Sequence, residues 1–149
     1  MALSRPATRG LSSTNVRDLM TGKKASVFGY AGDDTVRLTV SGNPSDFEHA
    51  LQLAHLLLTE PVIEQAALDQ WRESQKQAIE QRETSPQAKL QELLRETTSP
   101  AGEVRMLPLT MEDVERVTLD EAQNWLDFTV QHAPIEVSVV GDIDKERAI

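Results

Sequence analysis

The 149-residue chain contains no cysteine, which excludes disulfide frameworks, thiolate zinc sites and cysteine nucleophiles. The compartment stays open, because a cysteine-free protein tolerates any redox setting. Clustered positive charge is also missing. Fifteen lysines and arginines stand against 24 acidic residues, a net charge of −9, and Lys23-Lys24 is the longest basic run. Neutralising phosphates requires clustered cations, so no nucleic-acid partner is expected. No apolar run approaches the roughly 20 residues that span a bilayer, and "MALSRPATRG" has basic residues with no hydrophobic segment after them. Neither a signal peptide nor a membrane partner is therefore expected, and the location is unknown. Aromatic residues make up only 4% of the chain, too few for a broad stacking platform. The motifs G-x-S-x-G and G-x-x-x-x-G-K are absent as well.

What is present reads as alternating helical and extended segments. Residues 1–10 are small, basic and unpatterned, and are expected to be a disordered leader. In "SSTNVRDLMTGKK", capping residues precede apolar Val16, Leu19 and Met20 at helical spacing, and Gly22 supplies a left-handed stop. The period then shifts to two. Val36, Leu38 and Val40 alternate with polar neighbours after a Gly32-Asp33-Asp34 turn, which predicts a hairpin over 24–30 and 35–41.

"PSDFEHALQLAHLLLTE" returns to helix, with a predicted packing stripe of Phe47, Ala50, Leu51, Ala54, Leu57 and Leu58. Leu53 and Leu56 lie off that stripe, and the following helix is expected to cover them. That helix, "PVIEQAALDQWRESQKQAIEQRE", is mostly polar and is expected to bury Ile63, Ala67, Trp71 and Ala78. Ser85-Pro86 starts another helix carrying Leu90, Leu93 and Leu94, and "TSPAGEVRMLPL" is a loop. Thr110 with Asp113, and Thr118 with Glu121, have the capping-box spacing, which predicts helices over 111–116 and 119–131. In the second, Ala122, Trp125, Leu126 and Thr129 are expected inside. Ile135, Val137 and Val139 alternate in a predicted strand over 135–140, and "DKERAI" resembles the first turn of a helix.

"SDFEH" at 45–49 differs by one side chain from the inverted zinc motif H-x-x-E-H. Ser45 occupies the place of the first histidine, and a hydroxyl cannot replace a neutral imidazole as a zinc ligand. Ser45 and Glu48 fit a capping box instead, which would leave His49 facing solvent. His49 and His55 are six residues apart, about 240° around a helix, too divergent to chelate one metal. His132 is read as a separate flanking residue. Asp33-Asp34 reads as turn chemistry and Asp142 with Asp144 as a strand-end loop, since calcium needs more converging oxygens. Gly141-Asp142 lacks the other glycines of a dinucleotide turn. Trp71 and Trp125 are read as large core residues rather than binding platforms. No catalytic, cofactor-binding or metal-binding residue is expected in this chain.

Taken in order, "LSSTNVRDLMTGKKASV", "VRLTVSGNPSDFEHALQLAHLLLTEPVIEQAALDQWRESQKQAI", "PLTMEDVERVTLDEAQNWLD" and "PIEVSVVGDIDKERA" resemble the pitrilysin/insulinase-like zinc metallopeptidases. The more specific elements are "DLMTGK" before a hairpin, "HLLLTEPVI" between helices and "VVGDID" leading into a helix. The resemblance runs from about residue 11 to the end. It implies a two-halved enzyme of related α+β domains, in which one half carries the zinc motif and the other closes over the substrate. This sequence most resembles the later part of the first domain in the non-catalytic half. Zinc is then expected in the catalytic half of the parent enzyme, with none bound here. The partners implied are that catalytic half, or a homologous subunit, and the parent's peptide substrate.

Two departures from the family pattern accompany the resemblance. The stretch that would supply the domain's opening strands is absent before residue 11, and the chain stops one turn after "VVGDID". Together they imply a shortened product with exposed strand edges available for self-association. The expected fold is α+β, a small, mainly antiparallel sheet with helices packed on one face. The expected organisation is a leader over 1–10, a partial domain over 11–140 and the start of a following domain over 141–149. The expected function is a non-catalytic, substrate-enclosing part of a zinc-dependent peptidase, inactive alone. The alternative is a stand-alone protein-interaction module.

Overall fold

The computed structural model describes residues 5–32, 34–98, 100 and 107–142. The fold is α+β. Its elements, in order, are β1 (Ala7–Thr8), α1 (Ser13–Met20), β2 (Ala25–Ala31), β3 (Val36–Gly42), α2 (Pro44–Thr59), β4 (Pro61–Val62), α3 (Gln65–Thr84), α4 (Pro86–Thr98), α5 (Met111–Arg116) and α6 (Leu119–His132). β2 pairs antiparallel with β3, and β1 with β4.

The hairpin register sets up everything around it. Gly32 N–H donates to the Thr35 carbonyl at 2.8 Å, and Asn43 N–H to the Lys24 carbonyl at 2.9 Å. Bonded pairs alternate along an antiparallel ladder, so Thr35, Arg37, Thr39 and Ser41 aim their backbone groups at β2. The N–H and C=O groups of Val36, Leu38 and Val40 then point to the outer edge of β3. Val27 and Leu38 pack against a core of Val16, Leu53 and Leu57, so one face of the hairpin rests on α1 and α2. Phe28 and Tyr30 remain exposed on the other face.

α1 ends where the sequence places its stop: Thr21 caps it, and Gly22 has φ +80°, a conformation in which a Cβ would be strained. Glu64, the N-cap of α3, accepts hydrogen bonds from the Ser13 amide and hydroxyl, tying the first turn of α1 to the start of α3. A second clamp is Gln123 of α6. Its Oε1 accepts from Ile63 N–H at 2.8 Å, and its Nε2 donates to the Pro61 carbonyl at 3.0 Å and to Asp127. One side-chain amide thus gives β4 the donor and acceptor that a neighbouring strand would give. Leu126 packs with Ile63 and Ala67 beneath it. On the far side of α3, Val114 of α5 is fully buried. There Arg72 donates to the Val117 carbonyl, and Lys76 meets Glu115 at 3.0 Å.

Both predicted capping boxes form. Thr110 receives Asp113 N–H while the Asp113 carboxylate accepts from the Thr110 amide, and Thr118 and Glu121 repeat the exchange. The Thr110 hydroxyl and then its amide hold Asp113 below the ordinary carboxylate pKa, and the Thr118 amide and then its hydroxyl do the same for Glu121. A depressed folded-state pKa contributes stability above the unfolded value and loses it as pH falls through the folded one. Thr118→Ala is therefore expected to lower the thermal midpoint near neutral pH. That difference should shrink on acidification through the lowered Glu121 pKa, measured as thermal midpoint against pH.

Several expectations are corrected. The leader does not extend to residue 10: Ala7 and Thr8 are buried and pair with Val62 and Pro61. The Ser45–Glu48 capping box does not form, because Pro44 already occupies the first turn and Asn43 is the N-cap, so Ser45 lies inside the helix. Leu53 is covered by Val16 of α1, rather than by α3. α3 buries Ala67, Leu68 and Ile79 and leaves Ala78 exposed. Residues 135–140 are not a strand: among the described residues they have no ladder partner. Of the loop expected over 98–109, Thr98 instead ends α4, and 99 and 101–106 lie outside the described residues, as does the helical turn expected after Asp142.

Candidate functional site

Among the described residues, α2, β3 and the end of α6 enclose an open groove of about 750 Å³. Its floor is the outer stripe of α2, where Phe47, Leu51, Ala54 and Leu58 follow helical spacing. One wall is the outer edge of β3, presenting Val36, Leu38 and Val40. The opposite wall is the end of α6, with Leu126 and Val130, and the segment 134–140 that leaves it. Pro61 and Ala7 close one end. Among the lining residues only Glu136 is ionisable. Such a surface can bind apolar side chains and extended backbone, with the Glu136 carboxylate and the Ser41, Thr129 and Ser138 hydroxyls as its polar side chains.

This groove is absent from the sequence reading because it is a gap between elements distant in the chain. Leu51 and Leu58 are assigned to a packing stripe by periodicity, and in the structure they are exposed on the groove floor. Ile135, Val137 and Val139 alternate as a strand should, yet Val137 is 77% exposed.

The singled-out residues lie apart. Ser45, Glu48 and His49 occupy the first turns of α2, with all three side chains exposed. Glu48 accepts only a long contact from Gln52 at 3.5 Å. His55 is exposed further along α2. His132 ends α6, stacked on Phe128 with ring centroids 4.4 Å apart and Nδ1 2.9 Å from the Phe128 carbonyl oxygen. Among the described residues, no three His, Cys, Asp or Glu side chains are grouped to hold a metal ion. Trp71 is half-buried, whereas Trp125 is 56% exposed: size alone suggested a core residue, and the smaller Leu126 takes that place. Asp142 is exposed; Asp33 and Asp144 lie outside the described residues. No helix among the described residues is long and apolar enough to cross a membrane.

The backbone has a known counterpart. It matches the periplasmic protease PqqL from Escherichia coli with a TM-score of 0.72 at 19% sequence identity, over 87% of this chain and 14% of that one. The likeness shows that the fold of this chain recurs within that protein. No protein-family model matches the sequence, and no curated protein does. The chain therefore spans about one-seventh of the length of the protease it resembles.

Proposed function

We propose that this chain is a distant relative of the pitrilysin/insulinase-like zinc metallopeptidases and acts as a non-catalytic part that encloses a peptide substrate. The observation carrying this reading is the backbone match to a stretch of PqqL over most of this chain. The residues present do not fit a zinc ion, since Ser45 stands where a histidine is needed and His49 and His55 project in different directions from α2. Zinc, in this reading, is held by the catalytic half of the parent enzyme. The contribution of this chain is positional. Walls that confine an extended peptide reduce its freedom and limit its size, which favours cleavage at a metal held opposite. The argument from fold to role is an analogy.

The apolar groove favours a second reading, a stand-alone interaction module. One experiment separates the two. The purified chain, with and without added zinc, is expected to leave a fluorogenic peptide mixture uncut. Mixed with an H-x-x-E-H-bearing chain encoded in the same genome, it is expected to raise chelator-sensitive cleavage. Chelator-sensitive hydrolysis by the chain alone would refute the non-catalytic role, and no effect on any such partner would favour the interaction module.

A further inference from the structure

The groove lies beside the unpaired edge of β3. We propose that it binds a single extended peptide strand, about five residues long, with aliphatic or β-branched side chains at alternate positions. The inference rests on backbone placement and stands apart from the peptidase reading.

Three observations converge on that occupant. First, β3 is paired on one side only among the described residues, and its register aims the N–H and C=O groups of Val36, Leu38 and Val40 outward on the groove side. Second, every residue from Pro134 to Val140 lines the opposite wall, odd and even positions alike. The unpaired edge of β3 thus faces this space, and an extended backbone is the ligand that pairs with such an edge. Third, the length fits: the outward-facing groups of β3 run from Val36 to Val40, a stretch that an extended strand of about five residues matches at about 3.3 Å per residue.

The side-chain chemistry follows from the floor. Alternate residues of the incoming strand meet Leu51, Ala54 and Leu58, which asks for apolar groups, and small Ala54 leaves room for a branched one. The intervening residues face away from α2 and can be polar. Segment 134–140 does not close the gap itself. Its origin is fixed by α6, which the Gln123 clamp and the Leu126 contacts hold to β4 and α3, and Pro134 has no N–H to donate.

The test uses the full chain labelled for amide hydrogen exchange by nuclear magnetic resonance, with a capped eight-residue probe. The probe alternates valine and threonine between terminal lysines, in moderate salt to suppress attraction to the acidic chain. A control of the same side chains carries an N-methyl group on every residue, so that neither backbone edge can donate to a ladder. Exchange at Val36, Leu38 and Val40, and at residues 135–140, is expected to slow at least tenfold with the probe and to stay unchanged with the control. Leu51→Lys, which places a charge on the floor at an exposed position, is expected to weaken probe binding at least tenfold with unchanged circular dichroism. Equal protection by probe and control, no protection at either wall, or protection that grows with protein concentration in the absence of probe would overturn the proposal. The last outcome would assign the groove to a second copy of this chain.

Discussion

Leu53→Ala is expected to lower the unfolding free energy by about 2–5 kcal/mol, the range for deleting a buried leucine side chain. Leu53 is 2% exposed and packs with Val16 and Leu57, while Leu11, Met20, Val27 and Leu38 complete the cluster. Leu11 apart, these residues come from α1, α2, β2 and β3, so truncation removes the shared contact of four elements. The cavity cannot collapse easily, because its walls are regular elements rather than loops. Typical domains are stable by only about 5–15 kcal/mol, so this single change threatens the fold. Leu58→Ala, one turn on and exposed in the groove, is the matched control and should cost less than about 1 kcal/mol. Urea titration followed by far-ultraviolet circular dichroism reads both. Similar midpoints for the two variants would mean that the core is not organised around Leu53.

Gly42→Ala is expected to destabilise the open end of the hairpin by about 1–3 kcal/mol. The reason is steric. Gly42 faces Ala25 across the ladder, in a pair that exchanges no hydrogen bonds and therefore approaches closely. A Cβ at Gly42 would lie 2.6 Å from the Ala25 Cβ, 2.8 Å from its Cα and 3.0 Å from the Lys24 carbonyl oxygen. Two of those atoms are backbone, so relief requires the strands to part rather than a side chain to rotate. Parting them strains the Asn43–Lys24 hydrogen bond next to the start of α2, and the contact of Lys24 N–H with the Asp46 carboxylate at 3.1 Å. Gly141→Ala, where an added Cβ meets nothing within 4 Å, should be neutral by comparison. A fall in urea midpoint confined to Gly42→Ala, with faster exchange of the Ser26 and Asn43 amides, is the expected pattern.

The sequence discloses most where the physics is local. Thr110 with Asp113, and Thr118 with Glu121, complete their hydrogen bonds within one turn, so spacing alone locates α5 and α6. The hairpin is legible for the same reason, since alternation of Val36, Leu38 and Val40 follows directly from the pleat. The N-terminus of α2 shows two local signals in competition. Ser45 and Glu48 have the right spacing for a cap, but Asn43-Pro44 comes first, and a proline at the first helical position settles the start. Burial is less legible, because it depends on which neighbour arrives. Leu53 lies off the predicted stripe and is in the core, whereas Leu51 and Leu58 lie on it and line a groove. Trp125 and Leu126 are adjacent, and only the positions of Ile63 and Ala67 decide which is covered.

The site itself is hardest to read, since it is made of separation rather than contact. Alternation at Ile135, Val137 and Val139 predicts a strand, but a pattern of side chains cannot say whether a partner stands beside it, and among the described residues none does. The two-residue β1 escapes periodicity altogether. Ala7 and Thr8 are identified only by Val62 and Pro61 opposite them, far along the chain.

That short ladder has a consequence for the order of assembly. The hairpin and α2 are contiguous, and their contacts close short loops, so they can form quickly with little loss of chain entropy. Joining Ala7–Thr8 to Pro61–Val62 instead closes a loop that contains α1, the hairpin and α2. Two residues of ladder cannot offset that closure until the enclosed unit is already compact. The pairing of β1 with β4 therefore belongs to the late part of folding, acting as a latch on a preformed unit, and in the native state it is among the first connections to open.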